Sequence, residues 1–152
     1  MGKTGNRLIH LLSVSLALML MLSYVPTMTG KVQAAEEPVQ FVVQLTRSGE
    51  NNGHRRVFMQ IDKVLTDLGE DKVAFTVVAY EEGILALLSE NKRTSQLLTK
   101  LANRGVTFKA CRISMRAWEL TEQQFPLEVE YVPAGAPEVI RLQTMGHKYW
   151  RP

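Results

Sequence analysis

The apolar positions change their spacing along the chain, and each change predicts a new element. Pro38–Thr46 is a short β-branched and aromatic run that predicts a first strand, and Arg47–Gly53 then supplies the Ser, Gly and Asn residues of a loop. Asn51 or Asn52 is expected to cap the helix after that loop. From His54 to Leu68, Val57, Phe58, Ile61, Val64, Leu65 and Leu68 fall at helical spacing and Gly69 closes the run, which predicts an amphipathic helix of about four turns. Val73–Ala79 is almost continuously apolar, the pattern of a central strand covered on both faces.

Glu81-Glu82-Gly83 opens a short helix over Ile84–Leu88, its two carboxylates complementing the positive end of the helix dipole. Thr94–Arg104 places Leu97, Leu98, Leu101 and Ala102 on one face before Gly105, a further helix. Val106–Cys111 reads as a third strand. Arg112–Phe125 reads as helical in two pieces, broken around Leu120-Thr121, with Thr121 capping the second and Pro126 ending it. Val129–Val132 is a fourth strand, Pro133–Ala136 a turn, Pro137–Met145 a helix with Gly146 past its end, and Lys148–Trp150 a last short strand. This alternation predicts an α/β fold, a three-layer α/β/α domain on a mostly parallel five-stranded sheet. Such sheets carry their functional residues on loops at the carboxyl ends of the strands. Arg47–Gly53, Tyr80–Gly83 and Cys111–Arg116 are the candidate loops.

The charge balance changes the picture at the N-terminus. The 152 residues hold 18 Lys+Arg against 15 Asp+Glu, a net charge of +3 that suggests an anionic partner. Residues 1–34 contain Lys3, Arg7 and Lys31 and no acidic residue, so residues 35–152 carry 15 charges of each sign. The same segment has a basic start, an apolar run from Leu8 to Val25 diluted by His10, Ser13, Ser15 and Ser23, and a Val32-Gln33-Ala34 exit. It is expected to be a secretory signal cleaved after Ala34, leaving a periplasmic or secreted chain of 118 of the 152 residues. An uncleaved membrane anchor is the rival. The neutral remainder excludes a phosphate-tracking nucleic-acid binder, and Tyr149-Trp150 is expected to serve packing or a subunit interface.

Candidate chemistry centres on Cys111, the only cysteine, which forms no internal disulfide. It ends a predicted strand and begins a predicted helix, where free N–H groups stabilise a thiolate, with Arg112 and Arg116 as added positive charge. The alternative is a buried cysteine acting as a small hydrophobe. The Ser48–Gly53 loop lacks the Lys-Ser/Thr of a phosphate loop, and His54 and His147 lie at no ligand spacing to each other or to Cys111. No cofactor or metal is therefore expected. His54 is expected to be a solvated helix-end residue, and Glu81-Glu82 a dipole complement rather than an acid/base pair.

The run Gly105-Val106-Thr107-Phe108-Lys109-Ala110-Cys111 with Ser114-Met115, the stretch Val78–Ile84, and the tail from Val132-Pro133-Ala134-Gly135 to Tyr149-Trp150-Arg151-Pro152 resemble the DsrE/DsrF-like sulfur-relay family. The resemblance covers nearly all of residues 38–152. It implies a flavodoxin-like subunit, assembly into homo-oligomers, and sulfur donor and acceptor proteins as partners. It also implies a cysteine that carries sulfane sulfur as a persulfide. Cys111 matches that cysteine, with Ser114, Arg112 and Arg116 as supporting residues. Related cysteines are often followed by Asn-Thr-Met, whereas Ile113-Ser114-Met115 stands here and brings no amide. The well-understood relay members are cytoplasmic, whereas this leader predicts export.

Overall fold

The computed structural model describes residues 36–152; the expected leader, residues 1–34, lies outside them. Five strands form one sheet: β1 (Val39–Leu45), β2 (Val73–Ala79), β3 (Thr107–Cys111), β4 (Val129–Val132) and β5 (Lys148–Trp150). Their order is β4-β3-β2-β1-β5, and every pairing is parallel. The helices are α1 (Gly53–Leu68), α2 (Ser95–Ala102), α3 (Arg112–Ala117) and α4 (Gly135–Thr144).

Topology fixes which face each helix covers. The chain moves in one direction from β1 to β4, so right-handed crossovers put α1 and α2 on one face of the sheet. It then returns past β1 to reach β5, which sends α4 to the opposite face. The strand periodicity agrees. Val43, Leu45, Phe75, Val77 and Ala79 join α1 residues Val57, Phe58, Ile61 and Leu65 in the main core, where the Phe58 and Phe108 rings lie 5.3 Å apart. The alternate residues Val42 and Val78 meet Val139 and Leu142 of α4 in a second, smaller cluster. The fold is the three-layer α/β/α arrangement read from the alternation, with all five strands parallel.

Several local expectations change. The segment after β2 is a 3-10 helix over Glu81–Leu87, and Gly83 within it is pressed onto the end of β1. A Cβ there would lie 2.1 Å from the Leu45 carbonyl oxygen. The stretch after Cys111 does form two pieces with Thr121 capping the second in a capping box with Gln124, but the first ends already at Ala117, Glu119 turns back with φ of 52°, and the second is a 3-10 turn over Glu122–Gln124. Asn52 stands at the N-cap position of α1 in the left-handed region and makes no side-chain capping bond, contrary to the expected cap. Pro137 is not the start of the last helix, since α4 begins two residues earlier at Gly135.

Candidate functional site

The carboxyl ends of β1, β2, β3 and β4 converge on Cys111. The cysteine occupies the N-cap position of α3 with extended backbone, 3% exposed. Burial opposes ionisation of its thiol, but the donors around the sulfur, the Ser114 N–H and hydroxyl, the Gly135 N–H and the Ile113 N–H, together hold its pKa below the ordinary value. The Gly135 N–H lies 3.2 Å from Sγ. Two of these N–H groups come from the opening turn of α3, where they lack helical partners. The third comes from the start of α4, on a different strand-to-helix connection.

Ser114 is buried and links two elements. Its Oγ accepts the Glu81 N–H at 2.8 Å while its hydroxyl proton faces the Cys111 sulfur. Glu81 reaches it from the left-handed region, with φ of 51°, a conformation that costs a non-glycine residue roughly 1–2 kcal/mol and that the surrounding packing imposes. Gly135 approaches as closely as it does because it lacks a side chain: a Cβ would lie 2.5 Å from Cδ1 of Tyr80. The Tyr80 hydroxyl accepts from Nε2 of Gln44, and the Tyr149 hydroxyl donates to Oε1 of the same residue, so β1, β5 and the end of β2 are joined beside the site.

The predicted site residues divide. Cys111 and Ser114 are together. Arg112 turns away, pairing with Glu122 at 2.6 Å and lying 5.1 Å over the Tyr131 ring, and Arg116 is exposed on α3. Neither arginine is among the groups that lower the Cys111 pKa. The support for a thiolate is backbone amides and one hydroxyl. Gly135 is not among the expected site residues; its signal in the sequence is an Ala134-Gly135-Ala136 run at a strand's carboxyl end, narrow enough for close approach.

Two further residues depart from expectation. His54, expected in solvent, is 4% exposed. Its Nε2 lies 2.8 Å from the Arg47 carbonyl oxygen, and burial holds its pKa below the ordinary value against that bond. Glu138 of α4 is buried between Lys109 Nζ at 2.9 Å and Arg141 Nε at 2.7 Å. The Arg141 hydrogen bond, helped by Lys109 and opposed by burial, pulls its pKa to about 2. This cluster ties α4 to β3 one turn past the Gly135 amide. No group of three or more His, Cys, Asp or Glu residues suited to a metal occurs among the described residues.

A thiol with a depressed pKa, fixed at the head of a helix, is suited to nucleophilic attack on sulfur. The model of the DsrE/DsrF-like family matches residues 40–150. No curated protein matches the chain. Among solved structures, the chain is similar to MTH1491, a protein of unknown function from Methanobacterium thermoautotrophicum. The two are 26% identical over 77% of this chain and 100% of that one, with a TM-score of 0.66.

Proposed function

Because the chain belongs to the DsrE/DsrF-like family, we propose that it is an exported sulfur carrier in which Cys111 holds sulfane sulfur as a persulfide. The observation that carries this proposal is the set of donors directed at the Cys111 sulfur from Ile113, Ser114 and Gly135. A buried cysteine that served only to fill space would need none of them.

In the loading step the Cys111 thiolate attacks the outer sulfur of a donor persulfide. A sulfur–sulfur bond forms to Cys111, the donor's sulfur–sulfur bond breaks, and the donor leaves as a thiolate. Unloading is the same exchange in reverse: an acceptor thiolate takes the outer sulfur and Cys111 leaves as a thiolate. The sulfane sulfur keeps its oxidation level, so no external oxidant or reductant enters. The donors that lower the thiol pKa also make Cys111 a better leaving group. The leader, residues 1–34, supports a periplasmic or secreted setting, with donor and acceptor proteins there and assembly into homo-oligomers as the family resemblance implies.

Cyanolysis tests the transfer. The protein loaded with polysulfide and freed of excess reagent is expected to release one equivalent of thiocyanate per chain, and Cys111→Ser none. Equal release from both proteins would overturn the proposal. The burial of Cys111 supports a second function, a non-catalytic ligand-binding or assembly subunit with a structural cysteine. That function predicts alkylation of Cys111 by a bulky reagent no faster than global unfolding.

A further inference from the structure

Consecutive residues Tyr80 and Glu81 stand against two of the donors around the Cys111 sulfur. The Tyr80 ring fills the place of a Cβ at Gly135, whose N–H lies 3.2 Å from Sγ. The Glu81 N–H donates to Oγ of buried Ser114 at 2.8 Å. A hydroxyl has one proton, and it cannot point that proton at an N–H from which its own oxygen accepts. The bond from Glu81 therefore leaves the Ser114 proton for another acceptor, and the Cys111 sulfur is the one it meets. N–H, hydroxyl and sulfur form a relay whose outer member is a main-chain amide.

Glu81 holds that amide in place at a conformational cost. Its φ is 51°, and its exposed carboxylate makes no hydrogen bond or ion pair among the described residues that would account for a left-handed backbone. The segment is pinned on both sides. The Tyr80 N–H donates to the Leu45 carbonyl at 3.1 Å, the Tyr80 hydroxyl accepts from Gln44, and Gly83 is pressed onto the same Leu45 carbonyl. Between these anchors the Tyr80–Glu81 peptide group is free to turn. Its rotation takes Glu81 to the ordinary negative-φ region and brings the Tyr80 carbonyl to where the N–H stood. The same rotation breaks the 3.1 Å bond from the Gly83 N–H to that carbonyl and takes Tyr80 out of its extended backbone. Relief of the strain and loss of one hydrogen bond are of similar size, so the two orientations lie close in free energy.

We propose that the Tyr80–Glu81 peptide is a two-position element governing Ser114: with its N–H inward the hydroxyl supports the Cys111 thiolate, and with its carbonyl inward the hydroxyl donates to that carbonyl and the support is withdrawn. Glu81 is a positioning residue that acts through Ser114. Charged side chains on the elements packed around the sulfur are engaged elsewhere or exposed. Arg112 pairs with Glu122, Lys109 with Glu130 and Glu138, and Glu138 with Arg141; Glu81 and Arg116 are exposed, and Glu82 acts on His54. The use of this element in transfer rests on the sulfur-carrier reading, whereas the relay itself does not.

The pH profile of Cys111 alkylation by iodoacetamide tests it, because a withdrawn donor moves the midpoint whereas a merely looser site changes only the plateau. Glu81→Val, β-branched and so poorest in the left-handed region, is expected to raise the midpoint by about one unit, as Ser114→Ala is, and to lower the rate at neutral pH by up to tenfold. In the Ser114→Ala background the same substitution is expected to add nothing. Glu81→Gln keeps the backbone and is expected to keep the native midpoint. Glu81→Gly takes positive φ without strain and tests the element from the other side. Its urea midpoint is expected to rise, and its thiol midpoint to stay at or below the native one. The proposal is overturned if Glu81→Val leaves the thiol midpoint unmoved, if its shift adds to that of Ser114→Ala, if Glu81→Gln moves the midpoint as far, or if Glu81→Gly raises it. Thiocyanate release reports on the carrier reading separately: a protein that shows these shifts and releases none keeps the two-position peptide and loses sulfur carriage.

Discussion

At Cys111 two opposed effects act on one sulfur. Burial penalises the thiolate, and the Gly135 N–H together with the Ile113 and Ser114 donors around the sulfur favours it and prevails. Ser114 contributes its N–H and its hydroxyl, and the hydroxyl is the donor whose loss is simplest to read. A hydrogen bond to a charged group is worth about 1.5 kcal/mol and a unit of pKa about 1.4 kcal/mol, so Ser114→Ala is expected to raise the thiol pKa by about one unit. Alkylation of Cys111 by iodoacetamide against pH checks this. The profile should move up by about one unit, with a rate at neutral pH lower by up to tenfold and the high-pH plateau retained. An unmoved profile would show that the hydroxyl does not support the thiolate. Cys111 and Ser114 were legible in the sequence because a strand followed at once by a helix fixes where the cysteine stands. The arginines were not, because Arg112 is directed by Glu122 and Tyr131, which lie further along the chain by several residues and a strand. The burial of His54 was legible in principle. It lies three, four and seven positions before Val57, Phe58 and Ile61, on the same apolar stripe.

At the scale of elements, the position of α4 decides whether the Gly135 amide reaches the sulfur. Glu138 holds that helix to β3 through Lys109 and sits in the first turn of α4. Its carboxyl is depressed from 4.5 to about 2. A depressed acid stabilises the fold above its unfolded pKa, and the contribution is lost as pH falls through the folded value. The full contribution, about 3 kcal/mol, is therefore present above pH ~5 and disappears towards pH ~2. Glu138→Gln leaves Lys109 largely buried beside only Glu130 at 3.6 Å, and is expected to cost about 2–4 kcal/mol at neutral pH. Urea midpoints measured from pH 7 to pH 3 check both parts: the native protein loses stability over the acid range, and the variant loses less. Equal slopes would mean that Glu138 does not anchor α4. The strands and the helix α1 were readable from periodicity. The start of α4 was not, because a glycine reads as a turn, and the contact with Tyr80 that requires it comes from another part of the chain.

For the whole molecule, strand order follows from one chirality rule applied to a β-α alternation that the apolar pattern displays, which is why the three-layer fold was legible. The order reverses between β1 and β5, and all four longer strands bring their carboxyl ends to one edge. Cys111, the Ser114 hydroxyl and the Gly135 amide meet there. The net charge of +3 would have suggested an anion-binding surface for the whole protein, yet three of its positive charges lie in residues 1–34 and residues 35–152 balance. The proposed sulfur carriage comes down to one sulfur atom on Cys111, and intact-mass spectrometry of the protein after exposure to polysulfide reads it directly. A gain equal to one sulfur is expected, reversed by a thiol reductant and absent from Cys111→Ser. An unchanged mass in the native protein, or the same gain in the variant, would contradict a persulfide on Cys111.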